Sequence, residues 1–501
     1  MSPLFSGWTG DDLGYHMNIK KTIKICLTVV AIYCFIAVIS FYAGGESFIH
    51  RSDNTGDILS PTSEIGELVI GREVVQPFSL NVNRIAGVDI LFGTYSRENT
   101  SSIRIGIYRD NGELICEKTV STETLPDKEV QRLYFDPAPE IQSGEKLTLR
   151  ICSDDAESGN AVTLFYGSSI SLRRGEIKKQ YTDDERARVD DQMLDGILCY
   201  RVFGQADLLF GRIYWYIVAV GFAILIAVEY IVVHKIKTGR RSYLLYTVAV
   251  FKKYQFMIEQ IVSRDFKTKY RRSVLGVLWS FLNPLLTTLV QYLVFSALFS
   301  SGIDNFALYL LVGSVCFSFF NESTGMTLVS IIANAGLITK VYIPKYIYPF
   351  TRVMSSTINF LMAFIPLFLV MLLTGGRFTP ALWFLPMGII LLVLFCMGVG
   401  FILATSMVFF RDTQFLWGVV SMMWMYLTPI FYPISIIPEK FLPFYKMNPM
   451  YQFIRFFRTI LMEGIAPSPI NMLACLLMAA IALVLGLLIL KKNQDRFVLY
   501  L

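Results

Sequence analysis

The chain has 501 residues, is 54% hydrophobic, carries a formal net charge of +6 and holds three histidines. That apolarity excludes an ordinary soluble protein, because runs near 20 apolar residues are what a bilayer span requires. The eight cysteines show no metal-ligand spacing, and no Gly-rich loop ends in Gly-Lys-Ser/Thr, so the sequence offers neither a metal site nor an ATP site of its own.

The first span is expected at Ile25 to Ala43, closing a 1–44 segment. Lys20, Lys21 and Lys24 before it place the N-terminus in the cytoplasm, and its length favours an uncleaved anchor. Residues 45–210 then hold 28 acidic and 18 basic residues, so the positive excess lies elsewhere. An acidic block between basic, apolar segments fits one domain outside the membrane. Its pattern is β. Ile103, Ile105 and Ile107 alternate in IRIGIYR, as do Leu147, Leu149 and Ile151 in KLTLRIC. Further strands are expected at Val74 to Leu80, Ile85 to Phe92, Leu114 to Val120, Leu133 to Phe135, Val162 to Tyr166 and Ile197 to Phe203. Asn-Gly, Ser-Gly and Asp-Pro turns between them predict an antiparallel sandwich. Arg173 to Asp195 reads as a charged loop with some helix.

In this block Cys116, Cys152 and Cys199 include a possible disulfide pair. Tyr95, Tyr108, Tyr134 and Tyr166 suggest a sugar-stacking face or ordinary core tyrosines. Asp154, Asp155, Glu157 and Asn160 suggest a calcium loop or plain turn chemistry.

A second span, Ile213 to Val233 within 211–241, ends at His234, Lys235, Lys237, Arg240 and Arg241, which returns the chain to the cytoplasm. Residues 242–273 form a cationic amphipathic helix. Phe251, Tyr254, Ile258, Ile261 and Val262 recur at helical spacing, while Lys252, Lys253, Arg264 and Lys267 take other faces. Within 274–501 six more spans are expected: Val274–Leu298, Ala307–Ile332, Phe350–Leu373, Leu382–Phe409, Phe415–Phe431 and Ile470–Leu490. The fold class is thus a polytopic α-helical membrane protein of about eight spans carrying an all-β jelly-roll-like domain outside, with both termini in the cytoplasm.

Two connections stand out. Leu427 to Gly464 is apolar and aromatic yet contains Pro429, Pro433, Pro438, Pro443 and Pro449. Broken helices dipping into the membrane over about 433–464 satisfy both facts, since interrupted backbone at depth must be buried in protein or line a wet path. An interfacial loop is the alternative. Arg455 and Arg458 suit a lipid phosphate or a phosphate-bearing substrate. The loop Leu337 to Tyr346 is short and partly apolar, and reads either as a docking surface for a partner or as an interfacial turn. Glu322 and Glu229 are the intramembrane acids. The aromatic spans, among them Trp279, Tyr292, Phe295, Phe299, Tyr426, Phe431 and Tyr432, suit a path for glycans or simple lipid-facing packing.

In order along the chain, Arg264-Asp265, Lys269-Tyr270, Ser273, Leu275-Gly276, Trp279, Asn283-Pro284, Gly313, Leu337-Ile338, Lys340-Val341, Pro344, Phe410-Arg411-Asp412, Thr428-Pro429-Ile430, Tyr432, Asn448-Pro449 and Phe457-Arg458 resemble the permease subunit of type-2 ABC exporters. The resemblance covers Tyr246 to Leu501. It is nearest to members exporting O-antigen, teichoic acid or capsule on a polyprenyl-diphosphate lipid. It implies a bacterial cytoplasmic-membrane protein paired with a second copy of itself. Two copies of a nucleotide-binding ABC ATPase subunit would hold ATP and Mg, and no nucleic acid is involved. It implies that Leu337, Ile338, Lys340, Val341, Tyr342, Ile343 and Pro344 couple to that ATPase. Arg264, Lys267, Lys269, Tyr270, Arg271 and Arg272 on the interface helix would face the lipid diphosphate. Trp279, Tyr292, Phe295, Phe299, Tyr426, Phe431, Tyr432, Arg455 and Arg458 would line the substrate path or gate. The first 245 residues depart from that plan. A same-fold permease for a drug or small lipid, and a membrane-anchored glycan receptor or scaffold, are the competing functions.

Overall fold

The computed structural model describes residues 19–500 apart from 56–60, 168–169, 173–174, 178–181, 191, 239–242, 271–275, 300–304, 339, 341–342 and 377. The chain divides into two compact units. One is Ile49–Arg212; the other joins Met1–Phe48 to Ile213–Leu501.

The first unit is a sandwich of two antiparallel sheets. Its main strands are β1 (His50–Asn54), β2 (Glu73–Ser79), β3 (Arg84–Gly93), β4 (Ser102–Arg109), β5 (Leu114–Ser121), β6 (Glu129–Tyr134), β7 (Lys146–Cys152), β8 (Thr163–Gly167) and β9 (Tyr200–Asp207). A seven-stranded sheet runs β1-β9-β3-β8 and on to Ile197–Leu198, with β6 paired to β3 and Ser63–Glu64 to β8. A six-stranded sheet runs from Gln192–Met193 through Arg188–Val189 to β2-β7-β4-β5. The alternating residues meet in one core. Ile103, Ile105, Ile107, Leu147, Leu149 and Ile151 pack from one sheet against Ile85, Val88, Ile90, Phe92, Leu133, Leu164 and Val202 from the other. Between Arg173 and Asp195 the described residues form short strands rather than helix.

Several readings of this block are corrected. Tyr108 lies in the six-stranded sheet beneath Arg150, whereas Tyr134 and Tyr166 lie in the other, so the four tyrosines share no face. Asp155 accepts from the amide and hydroxyl of Ser102, Asp154 pairs with Arg104 and Asn160 accepts from the Thr100 amide. Those side chains serve the turn separately, and no group of three or more possible ligands forms among the described residues. Cys116, Cys152 and Cys199 are free; the first two sit on β5 and β7, which β4 separates, and the third on the opposite sheet. Burial pushes Cys199 and Cys116 up to about 12.

The second unit is helical: α1 (Ile19–Gly44), α2 (Leu209–Lys237), α3 (Tyr243–Tyr270), α4 (Trp279–Phe299), α5 (Phe306–Leu328), α6 (Ile347–Leu373), α7 (Leu385–Phe409), α8 (Thr413–Leu427), α9 (Pro449–Arg458) and α10 (Pro469–Asn493). Six helices among the described residues are long and apolar enough to cross a bilayer: α1, α2, α5, α6, α7 and α10. The eight expected spans also included α4 and α8. Helix α8 has 15 residues, about 22 Å at 1.5 Å per residue, which falls short of a hydrocarbon core of about 30 Å. Thr428, extended at φ −100° and ψ 129°, ends it ahead of Pro429.

Local chemistry fixes where the other helices begin. The Asn448 side chain accepts from the Met450 amide with Pro449 at the first helical position, and Ser468 caps the Asn471 amide ahead of Pro469. Helices α1 and α2 form a hairpin in which the Tyr33 hydroxyl donates to the Val218 carbonyl (2.9 Å) and Tyr214 to that of Ala37 (2.7 Å). The Trp383 indole donates to Ser40 at 3.2 Å, tying α1 to the turn before α7. Helices α7 and α10 approach backbone to backbone. A Cβ on Gly398 would lie 2.2 Å from the Ala482 carbonyl carbon, and one on Gly486 2.3 Å from the Gly398 oxygen. Gly398→Leu is therefore expected to force these helices apart. Gel filtration in detergent should show aggregate instead of a single peak, whereas Gly418→Leu, with open space around its Cβ, should not aggregate.

Candidate functional site

The C-terminal part of α3 is held by charge. Asp265 accepts from Arg352 of α6 at 2.6 Å and from Arg264 at 3.3 Å, and both Asp265 and Arg352 are largely buried. One turn on, Lys269 donates to Glu322 of α5 at 2.8 Å, and Asn359 of α6 donates to the same oxygen at 2.7 Å. Glu322, one of the two acids expected within the membrane, is thus engaged in a three-helix polar contact. Lys267 is exposed. The side chain of Tyr270, and Arg271, Arg272 and Ser273, lie outside the described residues.

Leu337 to Tyr346 follows α5 through a short helix, Ala335–Ile338. The expected row of exposed apolar residues is split. Leu337 is 40% exposed, but Ile338 and Ile343 are only 8% and 7% exposed. Both join a core of Ile331, Ile347, Tyr348 and Phe497, against which Tyr254, Met257 and Ile258 of α3 pack. A loop this short keeps two apolar side chains for its own anchorage. Lys340 is exposed, Pro344 is half-buried, and Val341 and Tyr342 lie outside the described residues. Lys345 donates to the Gln494 carbonyl at 2.6 Å.

Between α5 and α8 lies a groove of about 500 Å³, lined by Phe317, Asn321, Gly325, Gln414, Trp417 and Ser421 among others. The Trp417 indole donates to Thr324 at 3.3 Å, which fixes its ring at the groove wall. Apart from Ser421, no residue of α8 is buried. Helix α4 likewise presents Trp279, Leu289, Val290, Tyr292 and Leu293 outward. The Phe299 side chain is not among those described.

The proline-rich segment is organised by Arg458. Its guanidinium donates to the carbonyls of Pro429 (2.9 Å), Ile430 (3.1 Å) and Tyr309 (3.1 Å) and lies 3.3 Å from the Tyr309 ring centroid. The Tyr309 hydroxyl donates to the Tyr432 carbonyl at 2.8 Å. Arg458 is therefore buried with both Nη atoms on backbone carbonyls and its Nε without a partner among the described residues, which corrects the expectation of a phosphate ligand; Arg455 is the exposed arginine of the two. Phe295 stacks on the buried Phe431 (5.1 Å, 16°), Tyr426 is exposed, and the Tyr432 hydroxyl donates to the Tyr426 carbonyl. Asn448 accepts from the Trp424 indole at 2.8 Å and donates to Thr428 at 2.9 Å. Short turns at Ile434–Ile436 and Glu439–Phe441, then Leu442–Lys446, α9 and a π-turn at Thr459–Glu463, make the broken path expected there.

From sequence alone no contact is assigned to Arg352, Asn359 or Tyr309, and Gly313 enters only among the residues of the family resemblance. Gly313 had a usable signal, because a Cβ there would meet Arg458 at 2.9 Å. Glycine inside an apolar helix marks a close approach.

Residues 257–462 match the family model described as ABC-2 type transporter. Over 207 residues the chain is 36% identical to an O-antigen export system permease protein RfbA of Klebsiella pneumoniae, covering 41% of this chain and 79% of that one. It is 31% identical over 235 residues to the protein of the same name from Myxococcus xanthus, covering 46% and 89%. It is 21% identical over 242 residues to the polysialic acid transport protein KpsM of Escherichia coli, covering 48% and 93%.

Proposed function

Because this chain belongs to the ABC-2 type transporter family, we propose that it forms half of a conduit for a lipid-linked polysaccharide. It is the transmembrane subunit of a polysaccharide exporter. The observation that carries the conduit is the α5–α8 groove, whose α8 wall leaves nearly all its side chains uncovered by its own bundle, as α4 does for most of its apolar ones. A second copy facing it would bury those helices and close the groove into a path whose walls are aromatic and weakly polar.

The chain has no nucleotide loop, so ATP and Mg belong on a separate ABC ATPase, two copies to a dimer. Leu337 and Lys340 are the exposed groups for docking it at the inner face. The exposed Lys267 beside the paired Lys269 suits the diphosphate of a polyprenyl carrier. The Arg458-centred segment closes the opposite end, in the membrane of a bacterium with both termini inside.

Deleting the gene tests the reading: lipid-linked polymer should accumulate in the cytoplasm and vanish from the surface, while unchanged surface polymer would refute it. Docking is tested by a pair of variants. Leu337→Asp should lower export at least tenfold with unfolding unaltered, whereas Ile338→Asp should destabilise the protein by about 3 kcal/mol or more, the cost of a charge in a buried site. Equal thermal stability of the two in detergent would contradict the burial of Ile338.

A further inference from the structure

The seven-stranded sheet carries an ordered array on the face turned away from the sandwich core. Tyr134, Gly87 and Phe203 stand opposite one another on β6, β3 and β9. Arg132, Asp89 and Arg201 form the next row, followed by Val130 and Leu91. Asp89 is 1% exposed although it lies on an outward face, because two guanidinium groups close over it. Arg132 donates through Nε and Nη2 at 2.8 and 3.0 Å, and Arg201 through the same atoms at 3.0 and 2.6 Å. An enclosed carboxylate is tolerated only when paired in this way. Two cations on one anion leave the row net positive; the Arg132 guanidinium also meets the Tyr134 hydroxyl, and Arg201 keeps Nη1 for a further acceptor. Burial raises the Asp89 pKa, but the Arg132 and then the Arg201 hydrogen bonds outweigh it and hold it below the usual carboxylate range.

The aromatic row is equally fixed. Arg132 lies over the Phe203 ring at 5.2 Å, and Tyr134 meets that ring edge-on at 5.7 Å. A Cβ on Gly87 would stand 2.7 Å from the Phe203 ring and 2.2 Å from the Leu133 oxygen, so no side chain separates the rings. Tyr134 is 55% exposed, and the Lys118 ammonium holds its carbonyl at 2.8 Å. Rigid rings next to immobilised planar donors recognise a ligand with apolar C–H faces and hydroxyl acceptors while losing little side-chain freedom on binding.

We propose that this face binds a neutral pyranose chain, a segment of the exported polysaccharide. Tyr134 and Phe203 supply the stacking surface, and the Arg132 and Arg201 donors take the hydroxyls. The row itself is positive, but the block that contains it has ten more acidic than basic residues, a field that opposes a long polyanion, so the proposed occupant is neutral. The identity of the chain as the exported one rests on the export reading; the site does not.

The test uses the full-length protein in nanodiscs, titrated calorimetrically with the delipidated surface polymer of the producing strain and, separately, with polygalacturonate. Saturable binding of the neutral polymer is expected, weakened at least tenfold in Tyr134→Ala and in Arg132→Gln, with an unchanged unfolding transition in Tyr134→Ala. No binding by wild type, wild-type affinity in Tyr134→Ala, or equal affinity for polygalacturonate would overturn the proposal. Should gene deletion leave surface polymer intact while binding persists, the export reading fails and the site stands. Lost export without binding is the reverse.

Discussion

Replacing Arg458 with methionine is expected to abolish export and to destabilise the helical unit by about 2–4 kcal/mol. Arg458 makes three hydrogen bonds from a charged group to carbonyls, each worth about 1.5–3 kcal/mol. The desolvation of an arginine without a carboxylate partner offsets part of that sum, which sets the lower net figure. The loss falls where it matters, since the Ile430 carbonyl would be left without this donor and the break after α8 would be held to α5 by the Tyr309 hydroxyl without the guanidinium. Arg458→Lys should recover part of the stability and little export, because one ammonium cannot span Tyr309 and both carbonyls of the break. Thermal unfolding in detergent and surface polymer in a complemented deletion strain give the two readouts. Wild-type values for the methionine variant in both would show that the carbonyl bonds are dispensable.

The second large effect is expected at Asp265. It and Arg352 are 8% and 16% exposed and 2.6 Å apart, and removing one member of a buried pair costs about 3–5 kcal/mol. Lys269 and Glu322 are closer to solvent, where pairs contribute about 0–1 kcal/mol. Asp265→Ala should therefore release α3 and accelerate amide exchange through Tyr243–Tyr270, while Glu322→Gln changes it little. Export should fall at least tenfold in the first. A double-mutant cycle with Arg352→Ala should show about 2 kcal/mol or more of interaction. If α3 exchanges equally in both single variants, the ranking of the two pairs is wrong.

Most of the sandwich was readable because it obeys a period of two. Ile103, Ile105 and Ile107, with Leu147, Leu149 and Ile151, point inward as their spacing demands. The strand His50–Asn54 was not readable, because HRSDN has no apolar alternation and is ordered by its ladder to β9. Glu129–Tyr134 was foreseen only at its C-terminal end, since Val130 and Arg132 face away from the core. In the helical unit, six of the eight expected spans and the broken course of the proline-rich segment followed from composition, whereas the short α8 did not. The direction of individual side chains did not. Nothing in LITKVYIPKY tells whether an isoleucine faces a partner or its own core, and that was decided by Tyr254, Met257 and Phe497 far away in sequence. Arg458 is the same case: an arginine beside aromatics serves phosphate or carbonyl oxygen equally well until the backbone of Pro429 and Ile430 is placed.

The bond from Lys345 to the Gln494 carbonyl has a mechanical meaning. It ties the turn after Ala335–Ile338 to the foot of α10, and α10 is seated on α7 with no side chain between Gly398 and Gly486 to yield. In the proposed exporter, a push on this turn would reach α10 through Lys345 and α7 through the glycine contact. Stroke and load would pass as a displacement of linked struts, so stiffness at that foot, and not the affinity of the turn for its motor, would set how far each ATP cycle moves the wall of the conduit.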